Sequence, residues 1–262
     1  MTATAMPSRS PVRACLDLAR SGNFPSVASN VLAALVLSKV TAAAWPHGGT
    51  LALALLAGCL VYAGGATLND VADAAFDARH RPERAIPRRI ITRGRAGVIG
   101  AVELAAGLGL LLAGGAAVAW VAALAVTILA YDAIHKRWRG AVVLMAGCRA
   151  LLAVALATLP GQSASAPFWW WVGALFVYIA TLSLIARREY EIAPAAAHGA
   201  AENRVATSRR AARLGQWVGR LLAFIPLIDA VALLLVGAWI PAIACAAAIP
   251  LGRWAQRVAA ST

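Results

Sequence analysis

The sequence predicts an all-α protein, a polytopic bundle of helices that crosses a membrane several times. Hydrophobic residues make up 61% of the 262 positions, and the mean hydropathy is +0.73. Several apolar runs are long enough for a membrane helix, which needs about 20 such residues. The charged residues lie between these runs, where loops would leave the bilayer. Together these three observations indicate an integral membrane protein.

Glycine, proline and charged residues divide the apolar sequence into eight predicted membrane helices, with a ninth left open. The predicted spans are residues 24–45, 49–68, 96–114, 117–133, 141–159, 167–186, 210–236 and 238–259. The turns PHGG, AGG, PGQSASAP and GAWIP separate the members of four consecutive pairs, and charged segments separate one pair from the next. We expect residues 1–23 to be a cytoplasmic N-terminal lead-in and residues 24–262 to form one transmembrane domain.

The basic residues predict how the bundle is oriented. The short connections 46–48, 115–116, 160–166 and 237 contain no lysine or arginine, whereas the alternate connections are strongly basic. Because basic loops stay on the cytoplasmic side, both termini and the even-numbered helix ends are expected there. The same placement makes anionic lipid, and not nucleic acid, the natural neighbour of these arginines. We therefore predict a multi-pass protein of the cell membrane whose active face is cytoplasmic.

An acidic stretch follows the second predicted span. If the helix continues past the hydrocarbon, Asn69, Asp73 and Asp77 are spaced i, i+4, i+8, and Asp70 lies on an adjoining stripe. Like charges on one helix face repel unless a cation neutralises them, and oxygen ligands of this kind suit Mg²⁺. The sequence therefore predicts a magnesium site formed by these four side chains.

Arginines follow this face directly, including Arg79 and Arg88. Guanidinium groups form charge-assisted hydrogen bonds to phosphate oxygens, so these two arginines are expected to bind a diphosphate that the metal bridges. The simpler interpretation is a solvated helix end whose aspartates pair with arginines that serve only the membrane orientation.

Three segments resemble one known family. NDVADAAFD resembles the first aspartate-rich motif of the UbiA superfamily of intramembrane prenyltransferases. YDAIHKRW, after the fourth span, is similar to the Tyr…Lys-Arg signature of that family, and ARSGNFPSVASNVLAAL resembles its opening segment, particularly in the EboC-like branch. The resemblance implies a bundle around a central cavity with a cytoplasmic cap. It also implies Mg²⁺-dependent transfer of a prenyl group from an isoprenoid diphosphate to an acceptor of unknown identity.

The resemblance assigns roles by position. Tyr131 would face the carbocation, and Asp132, an added carboxylate at this place, would pair with Arg137 or orient the acceptor. Lys136 and Arg137 would bind the diphosphate. His135 is close enough to this site to be considered as a proton acceptor.

The chain departs from the family pattern after the sixth span. The expected second motif of the DxxxD kind is absent from ARREYEIAPAAAHGAAENRVATSRR. Glu189 is the nearest substitute ligand, with Arg188, Arg187 or Arg149 as accompanying cations; a salt bridge between Glu189 and a neighbouring arginine is the competing interpretation. Two functions remain open, namely a prenyltransferase with an altered second metal site and a protein that binds or moves an isoprenoid lipid without catalysis.

Overall fold

The computed structural model describes residues 10–39, 46–198 and 216–258, and within these ranges the chain is α-helical without any β-strand. The helices are α1 (Pro11–Leu18), α2 (Phe24–Leu37), α3 (Gly48–His80), α4 (Arg93–Ala113), α5 (Val118–Ile134), α6 (Ala141–Leu156), α7 (Ala166–His198), α8 (Ile225–Leu235) and α9 (Trp239–Val258). Residues 216–223 are also helical and lead through Phe224 into α8. The predicted all-α fold is confirmed.

Four helical segments are long and apolar enough to cross a membrane, namely Gly48–His80, Arg93–Ala113, Ala166–Arg187 and Gln216–Leu235. Three further apolar helices are shorter, at 14 residues for α2, 17 for α5 and 16 for α6. The first predicted span, 24–45, is helical only to Leu37, and residues 40–45 lie outside the described part of the chain. Two helices exceed their predicted spans, since α3 continues to His80 and α7 to His198.

The turns at one end of the bundle contain no lysine or arginine and contact one another. The Ala117 amide donates to Thr158 Oγ1 (2.9 Å), which joins the α4–α5 turn to the α6–α7 turn. Ser165 Oγ donates to the Leu37 carbonyl (2.7 Å), which joins the same turn to the end of α2. The basic connections between α3 and α4 and between α5 and α6 therefore lie at the opposite end, together with α1.

Helices α3 and α4 approach each other at glycines. A Cβ atom built on Gly64 would lie 2.4 Å from the backbone nitrogen of Leu104, and one built on Gly107 would lie 2.7 Å from that of Val61. Small residues of this kind let membrane helices pack backbone against backbone. The close contact fixes the position of α3, and with it the aspartate face in the last turns of that helix.

A small apolar cluster covers the basic end of the bundle. Ala14 and Leu18 of α1 pack with Ala85 and Ile91 of the α3–α4 connection and with Ala96 at the start of α4. This cluster is separate from the main core, which fills the space between α2 and the remaining long helices. It holds the N-terminal segment over the end of α3.

Candidate active site

The end of α3 buries an amide and three carboxylates. Asn69, Asp70, Asp73 and Asp77 are all buried, and Asp77 exposes only 2% of its surface. Because the helix runs without interruption to His80, the four side chains share the face that their spacing predicts. A buried carboxylate needs a partner of opposite charge, so the surroundings of each aspartate show how the site is balanced.

Two arginines neutralise Asp70 and Asp77. Arg84 Nη1 lies 2.8 Å from Asp70 Oδ1 and 3.1 Å from Asp77 Oδ2, so one guanidinium bridges two turns of the helix. Arg20 Nη2 donates to Asp70 Oδ1 at 3.1 Å and reaches Asn69 Oδ1 at 3.4 Å. Arg20 has left-handed backbone dihedrals (φ 47°), which end α1 and turn the chain towards α2. Its contact with α3 depends on a partner 50 positions away and has no local sequence signal.

Asp73 is neutralised from the α5–α6 connection. His135 Nε2 lies 3.2 Å from a carboxylate oxygen of Asp73, and Lys136 Nζ lies 3.1 Å from the other. The ammonium group of Lys136 also stands 3.4 Å from the centroid of the Phe76 ring, a cation–π contact. The predicted Lys136 is therefore brought to the aspartate face of α3.

Asp132 is held by α3 but is incompletely hydrogen-bonded. Its Oδ1 accepts from Asn69 Nδ2 at 3.1 Å, whereas its buried Oδ2 has no hydrogen-bond partner among the described residues. The neighbouring Tyr131 stacks on the His135 ring with the centroids 4.9 Å apart. An unpartnered carboxylate oxygen at a buried position is costly, which is typical of a group that acts on a ligand.

Tyr131, Asp132 and Lys136 line a cavity of about 450 Å³ that extends from the basic end into the bundle. Its polar end also includes Arg20, Asn69, Arg81, His135 and Arg187. Further in, its walls come mainly from aliphatic side chains, including Val31, Val61, Ile128, Leu152, Ala153, Leu156 and Ile179. Along α6 the lining reaches from Ala141 to Leu156, which corresponds to roughly 22 Å of helix. One cavity thus joins a charged end to a long apolar interior.

The other predicted cations have different positions. Arg79 and Arg137 are exposed and Arg88 is half-buried, and none of the three is among the cavity-lining residues of the described chain. Arg187 lines the cavity and donates to the carbonyls of His135 (3.2 Å) and Trp138 (2.9 Å). The predicted Arg188 and Glu189 belong to the last part of α7, and their side chains lie outside the described part of the structure.

The donor atoms at this end fit a magnesium ion by their chemistry. Carboxylate and amide oxygens from Asn69, Asp70, Asp73 and Asp77 are hard ligands, and the unpartnered Asp132 Oδ2 adds another at the same place. Within the described ranges, no three His, Cys, Asp or Glu side chains converge into a metal-binding group. The arrangement instead pairs three of the carboxylates with cationic side chains.

The sequence profile of the UbiA prenyltransferase family matches residues 29–261. The chain belongs to this family. Its members are prenyltransferases, and the recognised family and membrane-bundle fold agree with the predictions made from the motifs. No curated protein matches the sequence.

Two solved structures share the fold. A structure described as a digeranylgeranylglyceryl phosphate synthase in membranes aligns with a TM-score of 0.55 and 13% identity, covering 95% of each chain. A UbiA homologue from Archaeoglobus fulgidus bound to GPP and Mg²⁺ aligns with a TM-score of 0.54 and 15% identity, covering 93% of this chain and 99% of the other. At these identities, the similarity establishes the fold of the UbiA-family chain.

Proposed function

We propose that this UbiA-family protein transfers a prenyl group from an isoprenoid diphosphate to a small acceptor inside the membrane. The observation that carries the proposal is the cavity, whose charged end opens into an apolar interior of roughly 22 Å along α6. A prenyl diphosphate has the same division into a charged head and an apolar tail. The homologue that binds GPP and Mg²⁺ on the same fold supports this choice of donor.

Asn69, Asp70, Asp73 and Asp77 would hold Mg²⁺, with Glu189 as a further ligand from α7. When bound, the ion supplies positive charge that stabilises the diphosphate as it leaves. These ligands are oxygens on one buried helix face, which is the donor chemistry that Mg²⁺ prefers.

The cationic side chains would bind the diphosphate oxygens. Lys136 and Arg187 line the polar end of the cavity, so both can reach a head group placed there. Arg79, Arg88, Arg137 and Arg188 remain predicted diphosphate ligands from the basic connections. Fixed cations stabilise the negative charge that develops on a leaving group without the reorganisation that water would need.

Tyr131 and Asp132 would act on the reacting carbon and its acceptor. The bond between the first prenyl carbon and the diphosphate oxygen breaks, and its electron pair leaves with the diphosphate. The Tyr131 ring offers a π-face to the positive carbon, while the apolar walls exclude water from it. The acceptor then forms the new bond to this carbon and loses a proton, and the free Asp132 oxygen orients the acceptor.

We further propose that the site faces the cytoplasm in the cell membrane. The basic connections share one end of the bundle with the aspartate face. Since basic loops remain cytoplasmic, that end would be the inner one, in contact with anionic membrane lipid.

Pyrophosphate release provides the test. The purified chain in lipid nanodiscs is given geranyl, farnesyl and geranylgeranyl diphosphate with and without Mg²⁺, in the presence of an extracted membrane acceptor pool. Asp73→Asn is compared with Asp17→Asn, which makes the same change on α1, where the carboxylate pairs with Arg13. We expect magnesium-dependent release that Asp73→Asn lowers about 100-fold or more and Asp17→Asn preserves.

Two results would contradict the transferase. Release that does not depend on Mg²⁺, or that survives in Asp73→Asn, would remove the metal site from the mechanism. Binding of all three donors without release, in any acceptor pool, would favour the second function, in which the chain binds or moves an isoprenoid lipid.

A further inference from the structure

A second polar cluster lies beside the cavity, away from the aspartate face of α3. Its centre is Arg149 on α6, which contacts Ser26 and Asn30 on α2. Arg149 Nη1 donates to Asn30 Oδ1 (2.5 Å) and to the Ser26 carbonyl (3.4 Å), and Nη2 donates to Ser26 Oγ (3.2 Å). Three hydrogen bonds therefore fix the plane of the guanidinium.

Asp229 on α8 holds this cluster from behind. It is fully buried and accepts from Ser29 Oγ (2.6 Å), from Asn30 Nδ2 (2.8 Å) and from Trp171 Nε1 (2.9 Å). Three neutral donors therefore satisfy its carboxylate. Asn30 stands between the two charged groups, because its amide nitrogen faces Asp229 and its oxygen faces Arg149.

Arg149 faces the cavity. It is among the lining residues together with Asn23, Asn30 and Tyr62, and its guanidinium carbon lies 5.2 Å from the centroid of the Tyr62 ring. The Tyr62 hydroxyl accepts from Asn23 Nδ2 at 2.9 Å, which leaves the hydroxyl proton able to point elsewhere. Tyr62 precedes Asn69 by seven residues on α3, so the cluster lies about 10 Å along the helix from the proposed metal site.

The charge of this arginine is not directly paired. Within the described chain, no carboxylate lies within salt-bridge distance of Arg149, and Asp229 is reached only through Asn30. A charged group inside a membrane bundle that faces a cavity marks a place where a ligand binds. The guanidinium fork matches a carboxylate, whose two oxygens can accept two parallel hydrogen bonds.

We infer that Arg149, with Tyr62 and Asn23, forms a subsite for the acidic group of the acceptor. The acceptor would therefore be a small molecule with a carboxylate at one end and its nucleophilic atom at the other, directed towards Asp132 and the prenyl carbon. This inference rests on the proposed prenyl transfer, because it names the acceptor class of the same cavity. Asn30 and Asp229 are positioning residues, since they act through Arg149.

Binding of two matched probes tests the subsite without turnover. Benzoate and benzamide share a ring, but only benzoate is an anion at pH 7, since carboxyl groups ionise near pH 4. Their affinities for the full chain in nanodiscs are measured by titration calorimetry, for the native chain and for Arg149→Gln, Arg149→Lys and Arg220→Gln. Arg220 is exposed, stacks on Trp217 and serves as the matched control.

We expect the native chain and Arg220→Gln to prefer benzoate by about tenfold or more, as charge-assisted hydrogen bonds would give. Arg149→Gln removes this preference. Arg149→Lys keeps it at lower affinity, because an ammonium lacks the planar fork. Equal affinity for the two probes, undetectable benzoate binding by the native chain, or a preference that persists in Arg149→Gln would overturn the inference. If Arg149→Gln does not fold, the native preference and Arg149→Lys decide.

Geranyl diphosphate titrated with Mg²⁺ separates this inference from the proposed function. Donor binding that requires Mg²⁺ and is weakened by Asp73→Asn, together with equal benzoate and benzamide affinity, would overturn the acidic-acceptor subsite alone. A benzoate preference that depends on Arg149, without magnesium-dependent donor binding, would overturn prenyl transfer and leave an anion site in the bundle.

Discussion

The crossing of α3 and α4 gives the sharpest stability prediction. A methyl group at Gly64 would lie 2.4 Å from Leu104 N and 2.8 Å from Gly100 O, and both are backbone atoms that cannot rotate away. Because ordinary contacts begin at about 3.4 Å, α4 would have to move about 1 Å away from α3. Overpacking of this kind costs about 1–3 kcal/mol. We therefore expect Gly64→Ala to lower the free energy of unfolding by about 2 kcal/mol.

Gly109→Ala is the matched control, since it makes the same change on α4. A Cβ atom at Gly109 has no neighbour within 4 Å, so this substitution adds helix propensity without a clash. Unfolding of both variants in nanodiscs would be followed by circular dichroism against temperature. Gly64→Ala as stable as Gly109→Ala would show that the two backbones do not touch at this crossing, and the position of the aspartate face would then need another explanation.

Three predictions concern the site itself. Lys136→Met should weaken the binding of geranyl diphosphate with Mg²⁺ about tenfold in calorimetry, whereas the same change at the exposed Arg95 should not; equal affinities would remove Lys136 from the head-group site. Asp132→Asn should lower turnover at least about tenfold at unchanged thermal stability, and full turnover would show that its unpartnered oxygen has no catalytic role. Ala153→Leu narrows the apolar part of the cavity and should reduce the affinity for geranylgeranyl relative to geranyl diphosphate about tenfold; an unchanged ratio would place the tail elsewhere.

Local patterns in the sequence predicted the helices and the aspartate face, because both depend on neighbours within a few turns. The spacing of Asp73 and Asp77 required α3 to continue beyond its apolar run, and the helix does continue to His80. The end of α7 was placed too early, at residue 186. Arg187 marks the end of the apolar run, but charge does not end a helix, and the backbone remains helical to His198.

Contacts between distant helices could not be predicted in this way. Arg20 was counted only as a basic residue of the N-terminal segment, although its guanidinium reaches Asp70. Arg149 was considered as a replacement in the second metal site, whereas its hydrogen bonds go to Ser26 and Asn30 on α2. Such pairs follow from how α1, α2 and α6 pack against the bundle, and a single sequence carries no periodic signal for them.

The ion pairs on α3 lead to a last prediction, about how metal and donor bind together. Each of Asp70, Asp73 and Asp77 already has a cationic partner, so Mg²⁺ alone must compete with an arginine or lysine for every carboxylate. A diphosphate alone must likewise draw those cations away from buried carboxylates. Bound together, the metal takes the carboxylates and the diphosphate takes the released cations, so neither charge is left unpaired.

Binding of the two ligands should therefore be strongly coupled. We expect Mg²⁺ to raise the affinity for geranyl diphosphate about tenfold or more, and by linkage geranyl diphosphate raises the affinity for Mg²⁺ by the same factor. Calorimetric titrations in both orders measure this factor. Arg84→Gln should reduce it, because without that guanidinium Asp70 and Asp77 lose their bridging partner and Mg²⁺ alone binds more readily. Independent binding of the two ligands would mean that these ion pairs persist in the loaded site, and the exchange of partners would be wrong.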